Sequence, residues 1–215
     1  GRPYHSSKGD RDVIHPILAR LRCLLYSWYE SPRREGGAGV NDNDIQGYGD
    51  ALFEALRTRR SVPPLTTTHA GISIDDAYAI SNRLLSRRLE EGERVIGKKI
   101  GVTSEAVQSM LGVFQPDFGY LTDAMNVPSG SSLPISEMMI QPRAEGEIAF
   151  VLRDTLEGPG VTDADVIAAT DFVMPCFEVV DSRIDDWKIR IEDTIADNAS
   201  CGAFVLGCLL YTSDA

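Results

Sequence analysis

The stretch Gln141-Pro-Arg-Ala-Glu-Gly-Glu-Ile-Ala-Phe150 decides the fold, because it predicts a strand with two carboxylates on one face. Side chains two residues apart on a strand point the same way, so Glu145 and Glu147 share a face, opposite Ile148 and Phe150. Two like charges on an apolar strand are costly unless a positive group lies between them. A hard divalent cation is the simplest candidate. The alternative is a half-exposed strand with solvated glutamates, and for the pair alone it is somewhat favoured.

A third carboxylate lies further along the chain, in Pro175-Cys-Phe-Glu-Val-Val-Asp-Ser-Arg-Ile184. Its apolar neighbours predict a buried strand, in which Glu178 needs a partner. One interpretation is a structural ion pair with the nearby Asp181 and Arg183. The other is that Glu178 joins Glu145 and Glu147 as a set of three oxygen ligands for one octahedral cation.

Two further charged residues are candidates for acid–base work. Lys98 and Lys99 are flanked by glycines on a predicted strand, so they face opposite ways and one of them can point inward. A lysine near a metal-bound acid can position or protonate a substrate, whereas two surface lysines are the plainer interpretation. Asp117 follows a proline and precedes Phe-Gly, a pattern that is also typical of a turn.

A polar loop, Asp197-Asn-Ala-Ser200, precedes an apolar strand. Its small donors can line a pocket, or they can equally cap the loop. Cys201 invites interpretation as a nucleophile, but no histidine lies near it in the sequence, which disfavours a cysteine–histidine pair.

Composition limits the partners and the kind of metal. The chain has 215 residues, a hydrophobic share of 43% and a net charge of -11, which argues against nucleic acid or an anionic membrane as the main partner. Its three histidines all precede the carboxylates, so oxygen ligands and Mg²⁺ or Mn²⁺ are expected. The four cysteines form no Cys-x-x-Cys pair, so we expect reduced thiols and a cytoplasmic location.

The pattern along the chain predicts an α+β fold, with a curled mixed β-sheet and helices at its periphery. Residues 1–42 differ in composition from the rest and surround one apolar run; a linker, an extension of unknown role and sequence foreign to the protein are equally compatible. Residues 43–209 are predicted to form the catalytic domain, and 210–215 a tail. Helices are predicted over 50–59, from Ser73 or Asp75 to Gly92, from Ser104 to Leu111, and after Thr162. In the second of these, arginines and glutamates are predicted to face outward, and one apolar stripe consists of Ala77, Ile80, Leu84, Leu85 and Leu89. Strands are predicted over 95–102, 119–121, 136–140, 147–152, 172–180 and 203–209.

Several motifs, in order from about residue 44 to 209, closely resemble the 2-keto-4-pentenoate (2-hydroxypenta-2,4-dienoate) hydratases of the fumarylacetoacetate hydrolase superfamily. They are Gly97-Lys-Lys-Ile-Gly-Val-Thr-Ser104, Ala106-Val-Gln108, Leu111-Gly-Val113, Pro116-Asp-Phe-Gly119, Ala144-Glu-Gly-Glu-Ile-Ala-Phe150, Glu178-Val-Val-Asp-Ser-Arg-Ile184, Asp186-Trp-Lys-Ile-Arg-Ile191 and Asp193-Thr-Ile-Ala-Asp-Asn-Ala-Ser200.

The resemblance implies the sheet roll of that superfamily and a set of site residues. Glu145, Glu147 and Glu178 correspond to its metal ligands, for Mg²⁺ or Mn²⁺. Lys99 and Asp117 correspond to its acid–base or positioning groups, and Ser200 is a weaker candidate in the pocket wall. The implied reaction adds water to 2-hydroxypenta-2,4-dienoate, giving 4-hydroxy-2-oxopentanoate, in the meta-cleavage degradation of aromatic compounds.

The resemblance also leaves alternatives. The sister group, the 4-oxalocrotonate decarboxylases, shares the metal ligands, although Gly146 and the Ala-Val-Gln helix favour hydration. Family members continue past this C-terminus, so we expect a truncated chain, and a non-catalytic binding or assembly subunit is a third possibility. The implied partners are the small dienoic acid, further copies of the chain and a pathway enzyme.

Overall fold

A computed structural model describes residues 40–111, 113 and 116–207, and its architecture is α+β. Three parts of the chain lie outside the described residues: most of the predicted extension, the residue after the Ser104 helix, and the predicted tail. In the described part, no helix is both long enough and apolar enough to cross a membrane. The α-helices in that part are α1 (Asp42–Thr58), α2 (Leu65–Thr68), α3 (Ile74–Glu90), α4 (Glu105–Leu111), α5 (Ile135–Met138), α6 (Asp163–Ala169) and α7 (Ile191–Ala196). The strands are β1 (Val95–Gly101), β2 (Asp117–Thr122), β3 (Pro142–Leu152), β4 (Thr170–Asp181) and β5 (Cys201–Leu206).

The main core lies among helices α1, α3 and α7. Helix α3 begins at the predicted cap, because the Ser73 side chain accepts the Asp76 N–H while the Asp76 carboxylate accepts the Ser73 N–H. The predicted apolar stripe of α3 is buried at Ala77, Ile80 and Leu84 and contacts the apolar sides of α1 and α7. This packing supports the segment that follows α7, which forms one side of the candidate site.

The first helix is longer than predicted. Helix α1 begins at Asp42 rather than Asp50, because the Asn41 side chain accepts the Asp44 N–H and caps the helix earlier.

Two other local predictions are wrong. Arg88 does not face solvent: it is buried, and it donates to Glu93 at 2.8 Å and to Thr122 Oγ1 at 3.2 Å, so it joins the end of α3 to the edge of β1–β2. The segment 136–140 is not extended, because Pro134 precedes a single helical turn, α5, closed by the Met139 N–H bonding to Ile135 O.

The described strands form two antiparallel sheets, β1–β2 and β3–β4–β5, where one mixed sheet was predicted. Each connection between neighbouring strands reverses the chain, so successive strands pair antiparallel. Parallel pairing occurs in this part of the chain as isolated bridges, between Val62 and Ile184 and between Asn126 and Phe204. The second bridge joins the segment that follows β2 to β5.

The strand register sets the positions of the candidate residues. In β3–β4, Glu145 lies opposite Glu178 and Glu147 lies opposite Cys176, so these four side chains share one face. In β1–β2, Lys99 lies opposite Gly119 and Gly101 opposite Asp117.

Candidate active site

The three glutamates that the sequence singled out come together in space. One carboxylate oxygen from each of Glu145, Glu147 and Glu178 lies within 4.8 Å of the other two. Glu145 and Glu147 are exposed, so water solvates their charges, whereas Glu178 is only 6% exposed. The exposure of the pair fits the solvated-glutamate alternative, but the convergence with a buried third carboxylate does not.

Glu178 is paired with Lys99. The Lys99 Nζ lies 3.0 Å from Glu178 Oε1 and also donates to the Ala199 carbonyl oxygen at 2.9 Å. Burial raises the pKa of the Glu178 carboxyl above its ordinary value, and the Lys99 ammonium opposes that rise. The prediction that one lysine of the pair points inward is thus confirmed for Lys99, while Lys98 lies over the rings of Phe118 and Tyr120.

The alternative partner for Glu178 is wrong. The Asp181 carboxylate accepts backbone N–H groups of Ile140 and Gln141, and Arg183 pairs with Asp197. Residue 181 differs from residue 178 by an odd number along β4, so its side chain points to the opposite face, and residue 183 lies beyond the end of that strand.

Asp117 is the first residue of β2 rather than a turn former, and it is 2% exposed. Neither carboxyl oxygen makes a hydrogen bond of normal geometry with a described residue. Burial raises the pKa of this carboxyl, and the Lys99 ammonium and the N–H groups of Asp117 and Gly101 offset the rise only in part. A Cβ on Gly101 would lie 2.3 Å from Asp117 Oδ1, so glycine makes room for the carboxyl. A buried carboxyl without such a partner calls for one from outside the chain, which a ligand or a water in an adjoining cavity can supply.

A cavity of about 310 Å³ joins these groups. Its wall includes five of the six predicted site residues: Lys99, Asp117, Glu145, Glu147 and Ser200. Glu178 is not part of this wall and reaches the site through its contact with Lys99 and its proximity to Glu145 and Glu147.

Ser200 belongs to a left-handed turn, Asn198–Ser200, in which all three residues have positive φ, 54°, 51° and 52°. Ser200 is buried, and its Oγ lies 3.5 Å from Asp197 Oδ2, at the limit of a hydrogen bond. Three consecutive left-handed residues that are not glycine are unfavourable, so the surrounding contacts must hold them.

The base of this turn is a buried ion pair. Arg183 Nε lies 2.5 Å from Asp197 Oδ1, and the Arg183 backbone N–H donates to Asp197 Oδ2 at 2.9 Å. The guanidinium also donates to the carbonyl oxygens of Asp181, Asp197 and Cys201, so it bonds to the chain on both sides of the turn. Burial raises the pKa of Asp197 to about 6 despite the opposing effect of Arg183.

The cysteine beside the site is not arranged as a nucleophile. Cys201 is buried, and burial next to Glu178 raises the pKa of its thiol to about 12. It is therefore a neutral thiol at ordinary pH, as the absence of a nearby histidine in the sequence indicated. Both described cysteines, Cys176 and Cys201, are free thiols.

The residue patterns did not predict four residues that line the cavity: Val102, Trp187, Ile189 and Thr194. Trp187 donates its Nε1–H to the Gln141 carbonyl at 3.1 Å, with the Arg143 guanidinium 4.2 Å from its ring centroid. The motif Asp186-Trp-Lys-Ile-Arg-Ile191 was noticed for its resemblance alone. An aromatic residue within a polar segment was the signal that could have placed it in the pocket.

The donor set fits a hard divalent cation. Adjacent oxygen ligands about 2.0–2.1 Å from an octahedral Mg²⁺ lie about 2.9 Å from one another. The three carboxylate oxygens, all within 4.8 Å of one another, need to approach by at most about 2 Å to reach that spacing, and two of them belong to exposed side chains. Carboxylates without histidine or thiolate ligands favour Mg²⁺ or Mn²⁺ over softer metals.

Comparison with known proteins gives close relatives. The chain is 69% identical over 163 residues to a 2-hydroxypent-2,4-dienoate hydratase of Pseudomonas putida, covering 76% of this chain and 73% of that protein. It is 59% identical over 164 residues to a 2-hydroxyhexa-2,4-dienoate hydratase of Comamonas testosteroni, covering 76% of this chain and 62% of that protein. It is 45% identical over 157 residues to a 2-keto-4-pentenoate hydratase of Paraburkholderia xenovorans, covering 73% of this chain and 58% of that one. The chain therefore spans less than two thirds of the last two relatives.

Solved structures agree on the fold. A 4-oxalocrotonate decarboxylase from Pseudomonas putida G7, complexed with magnesium and adipate, matches with a TM-score of 0.75 at 32% identity, over 78% of this chain and 64% of that one. The same enzyme complexed with calcium and acetate gives a TM-score of 0.73. No protein-family model matches the chain. On the identity and coverage of its relatives, the chain belongs to the family of 2-keto-4-pentenoate (2-hydroxypenta-2,4-dienoate) hydratases.

Proposed function

We propose that this chain is a divalent-metal-dependent hydro-lyase of aromatic meta-cleavage pathways. It adds water to 2-hydroxypenta-2,4-dienoate and gives 4-hydroxy-2-oxopentanoate. The observation that carries the proposal is the convergence of Glu145, Glu147 and Glu178 beside Lys99 and the unsatisfied Asp117. Family membership, with 69% identity to a hydratase that acts on the pentadienoate, supports this substrate.

Glu145, Glu147 and Glu178 are the proposed ligands of Mg²⁺ or Mn²⁺. A bound divalent ion supplies Lewis acidity, which stabilises negative charge on the 2-oxygen of an α-keto acid. The calcium- and magnesium-bound decarboxylase structures support a divalent ion in this fold.

Lys99 orients the substrate. Its ammonium has three N–H donors, of which one bonds to Ala199 O and another is paired with Glu178. The third is available to a substrate oxygen in the cavity that Lys99 lines. A hydrogen bond from a fixed cation in a partly closed cavity stabilises developing negative charge more than water does.

Asp117 moves protons. Because burial favours its neutral form, it can donate a proton at carbon 5 while the 2-hydroxyl loses one, which converts the dienol to the 2-oxo-3-enoate. Water then bonds through its oxygen to carbon 4, and one of its protons goes to carbon 3. Ser200 donates a hydrogen bond from the same wall, and apolar groups such as Val102 and Ile189 exclude stray water.

The decarboxylase alternative has one specific observation in its favour, the structural match to 4-oxalocrotonate decarboxylase. At 32% identity, that match is weaker support than 69% identity to a hydratase. The non-catalytic subunit is the remaining alternative.

One assay separates these functions. The purified chain is mixed with the dienol, with and without Mg²⁺ or Mn²⁺, and the ultraviolet absorbance of the dienol is followed. We expect metal-dependent loss of absorbance, and Mn²⁺ binding, measured by calorimetry, that Glu145→Gln and Glu147→Gln each weaken at least about tenfold. Glu157→Gln, at an exposed glutamate outside the cluster, is the matched control.

Three results would count against the proposal. Turnover without metal would contradict a metal site at the three carboxylates. If the chain releases carbon dioxide from 4-oxalocrotonate faster than it hydrates the dienol, the decarboxylase alternative is correct. A folded chain that binds metal and turns over neither substrate is a non-catalytic subunit.

We also propose that residues 43–209 form a catalytic unit with the curled sheet roll of the superfamily. The protein acts in the cytoplasm. It forms a homo-oligomer and associates with a pathway enzyme. Support for assembly comes from one face of β3–β4, whose apolar side chains are more than half exposed: Ile148, Phe150, Val173 and Phe177. Analytical ultracentrifugation tests this, and a monomer at micromolar concentration would contradict it.

A further inference from the structure

We propose that Asn198 is a positioning residue: its side chain holds the left-handed turn against β2, so that the Ala199 carbonyl keeps the Lys99 ammonium beside Glu178. The expected effect of Asn198 on catalysis rests on the proposed function, whereas the contacts of Asn198 are independent of that function.

The turn needs an external hold. Asn198, Ala199 and Ser200 all have positive φ, a conformation that residues with a side chain adopt singly and seldom in succession. Asparagine tolerates this region better than most residues, which suits it to the first position of the turn. Tolerance alone does not fix the two residues that follow.

The hold comes from the side-chain amide of Asn198. Its Oδ1 accepts the Tyr120 backbone N–H at 2.7 Å, and its Nδ2 donates to the Tyr120 carbonyl at 2.9 Å. The amide therefore pairs with both backbone groups of one β2 residue, as a neighbouring strand would. The turn lies so close to β2 that a Cβ on Gly119 would be 2.5 Å from the Asn198 carbonyl oxygen.

This docking determines where Lys99 lies. Lys99 is the cross-strand partner of Gly119, so the turn packs on β2 directly beside it. Lys99 Nζ bonds to Ala199 O at 2.9 Å and lies 3.0 Å from Glu178 Oε1. The first contact is to a neutral oxygen of the turn. If the turn shifts on β2, the Lys99 ammonium therefore either moves together with the Ala199 carbonyl or loses its hydrogen bond to that carbonyl.

The base of the turn has its own support. The Arg183 guanidinium donates to the carbonyl oxygens of Asp197 and Cys201, on either side of the turn, independently of Asn198. A change at Asn198 is therefore expected to release the turn from β2 without unfolding the chain.

The test uses two substitutions in the full chain. Asn198→Gly keeps easy access to positive φ and removes the amide, whereas Asn198→Asp keeps an acceptor for the Tyr120 N–H. Ser73→Ala, which removes the cap of α3 far from the cavity, is the control for a general loss of thermal stability. Each is combined with Lys99→Met to complete a double-mutant cycle.

We expect Asn198→Gly to lower kcat by about 10- to 100-fold with little change in KM, since a catalytic group displaced by about 1 Å costs up to that much. Asn198→Asp restores part of the loss, and Ser73→Ala leaves kcat unchanged. In the Lys99→Met background, Asn198→Gly has almost no further effect, because its action passes through Lys99.

A crystal structure of Asn198→Gly provides a readout that needs no activity. Loss of the contact between Lys99 Nζ and Ala199 O supports the proposal even if the wild-type chain does not hydrate the dienol. An unchanged contact, or losses in kcat that simply multiply in the double variant, overturns it.

Discussion

The buried ion pair between Arg183 and Asp197 makes a large effect on stability predictable. Arg183→Met introduces an uncharged side chain of similar length. Asp197 then stays completely buried but loses the cation that pairs with it. The substitution also removes the guanidinium donors to the carbonyl oxygens of Asp181, Asp197 and Cys201.

The magnitude follows from these contacts. Breaking one side of a buried ion pair costs about 3–5 kcal/mol, and a buried carbonyl left without a donor costs about 1–3 kcal/mol. We expect the free energy of unfolding to fall by at least about 4 kcal/mol. This is less than the sum of the separate costs, because the chain around the substitution can relax and water can bond to some of the freed carbonyl oxygens. Against a typical total of about 5–15 kcal/mol, such a variant is close to unfolding.

The loss should depend on pH. Burial already raises the pKa of Asp197 to about 6 in the presence of Arg183, and removing the guanidinium raises that pKa further. A group whose pKa is higher in the folded state favours folding at low pH and loses that contribution as the pH rises through the folded value. The difference in unfolding free energy between the wild type and Arg183→Met should therefore narrow as the pH falls from 8 toward 5 (a window of about three units around that pKa).

Urea denaturation followed by circular dichroism measures both effects. Arg153→Met is the matched control, because Arg153 is largely exposed and its loss should change the unfolding free energy by no more than about 0.5 kcal/mol. A loss below about 3 kcal/mol in Arg183→Met at pH 8, or a difference that stays constant with pH, would refute the reasoning.

Three other expectations concern the site. Gly101→Ala places a methyl group against the Asp117 carboxyl, so it should lower kcat at least about tenfold and stability by about 1–3 kcal/mol; unaltered kinetics would contradict this. Because burial raises the pKa of Asp117, the wild type should lose stability relative to Asp117→Asn as the pH rises through that pKa, and urea denaturation at a series of acidic to neutral pH values should detect it. Iodoacetamide should modify Cys176 before Cys201, because Cys201 is fully buried with a thiol pKa of about 12, and peptide mass spectrometry gives the order.

Local patterns predicted the elements that local chemistry determines. Helix α3 follows from a serine cap and an apolar stripe with helical spacing; the cap is confirmed, and the stripe is buried at Ala77, Ile80 and Leu84 but exposed at Leu89. The same holds for the alternation in β3, which places Glu145 and Glu147 on one face because the strand period is two. That Glu178 joins them depended on the register of β3 against β4, which the sequence only suggested.

Contacts between distant residues explain what the sequence did not predict. The partner of Glu178 lies on β1, and Arg88 is buried because Thr122, 34 residues away, accepts its hydrogen bond. The left-handed turn depends on Tyr120, 78 residues from Asn198. A polar segment such as Asp197–Ser200 predicts a loop, and its conformation comes from strands that it meets only after folding.

The arrangement of charges explains how the fold tolerates three converging carboxylates before any ion binds. Water solvates Glu145 and Glu147, whereas Glu178 is buried and is compensated by Lys99 at 3.0 Å. The three carboxylates can therefore keep this arrangement without a bound metal ion to balance their charge. Lys99 is in turn fixed by a neutral oxygen, Ala199 O, so backbone geometry as well as attraction to Glu178 sets its position. It follows that a shift of the turn moves Lys99 and, through Lys99, changes the charge compensation of the proposed metal ligand Glu178.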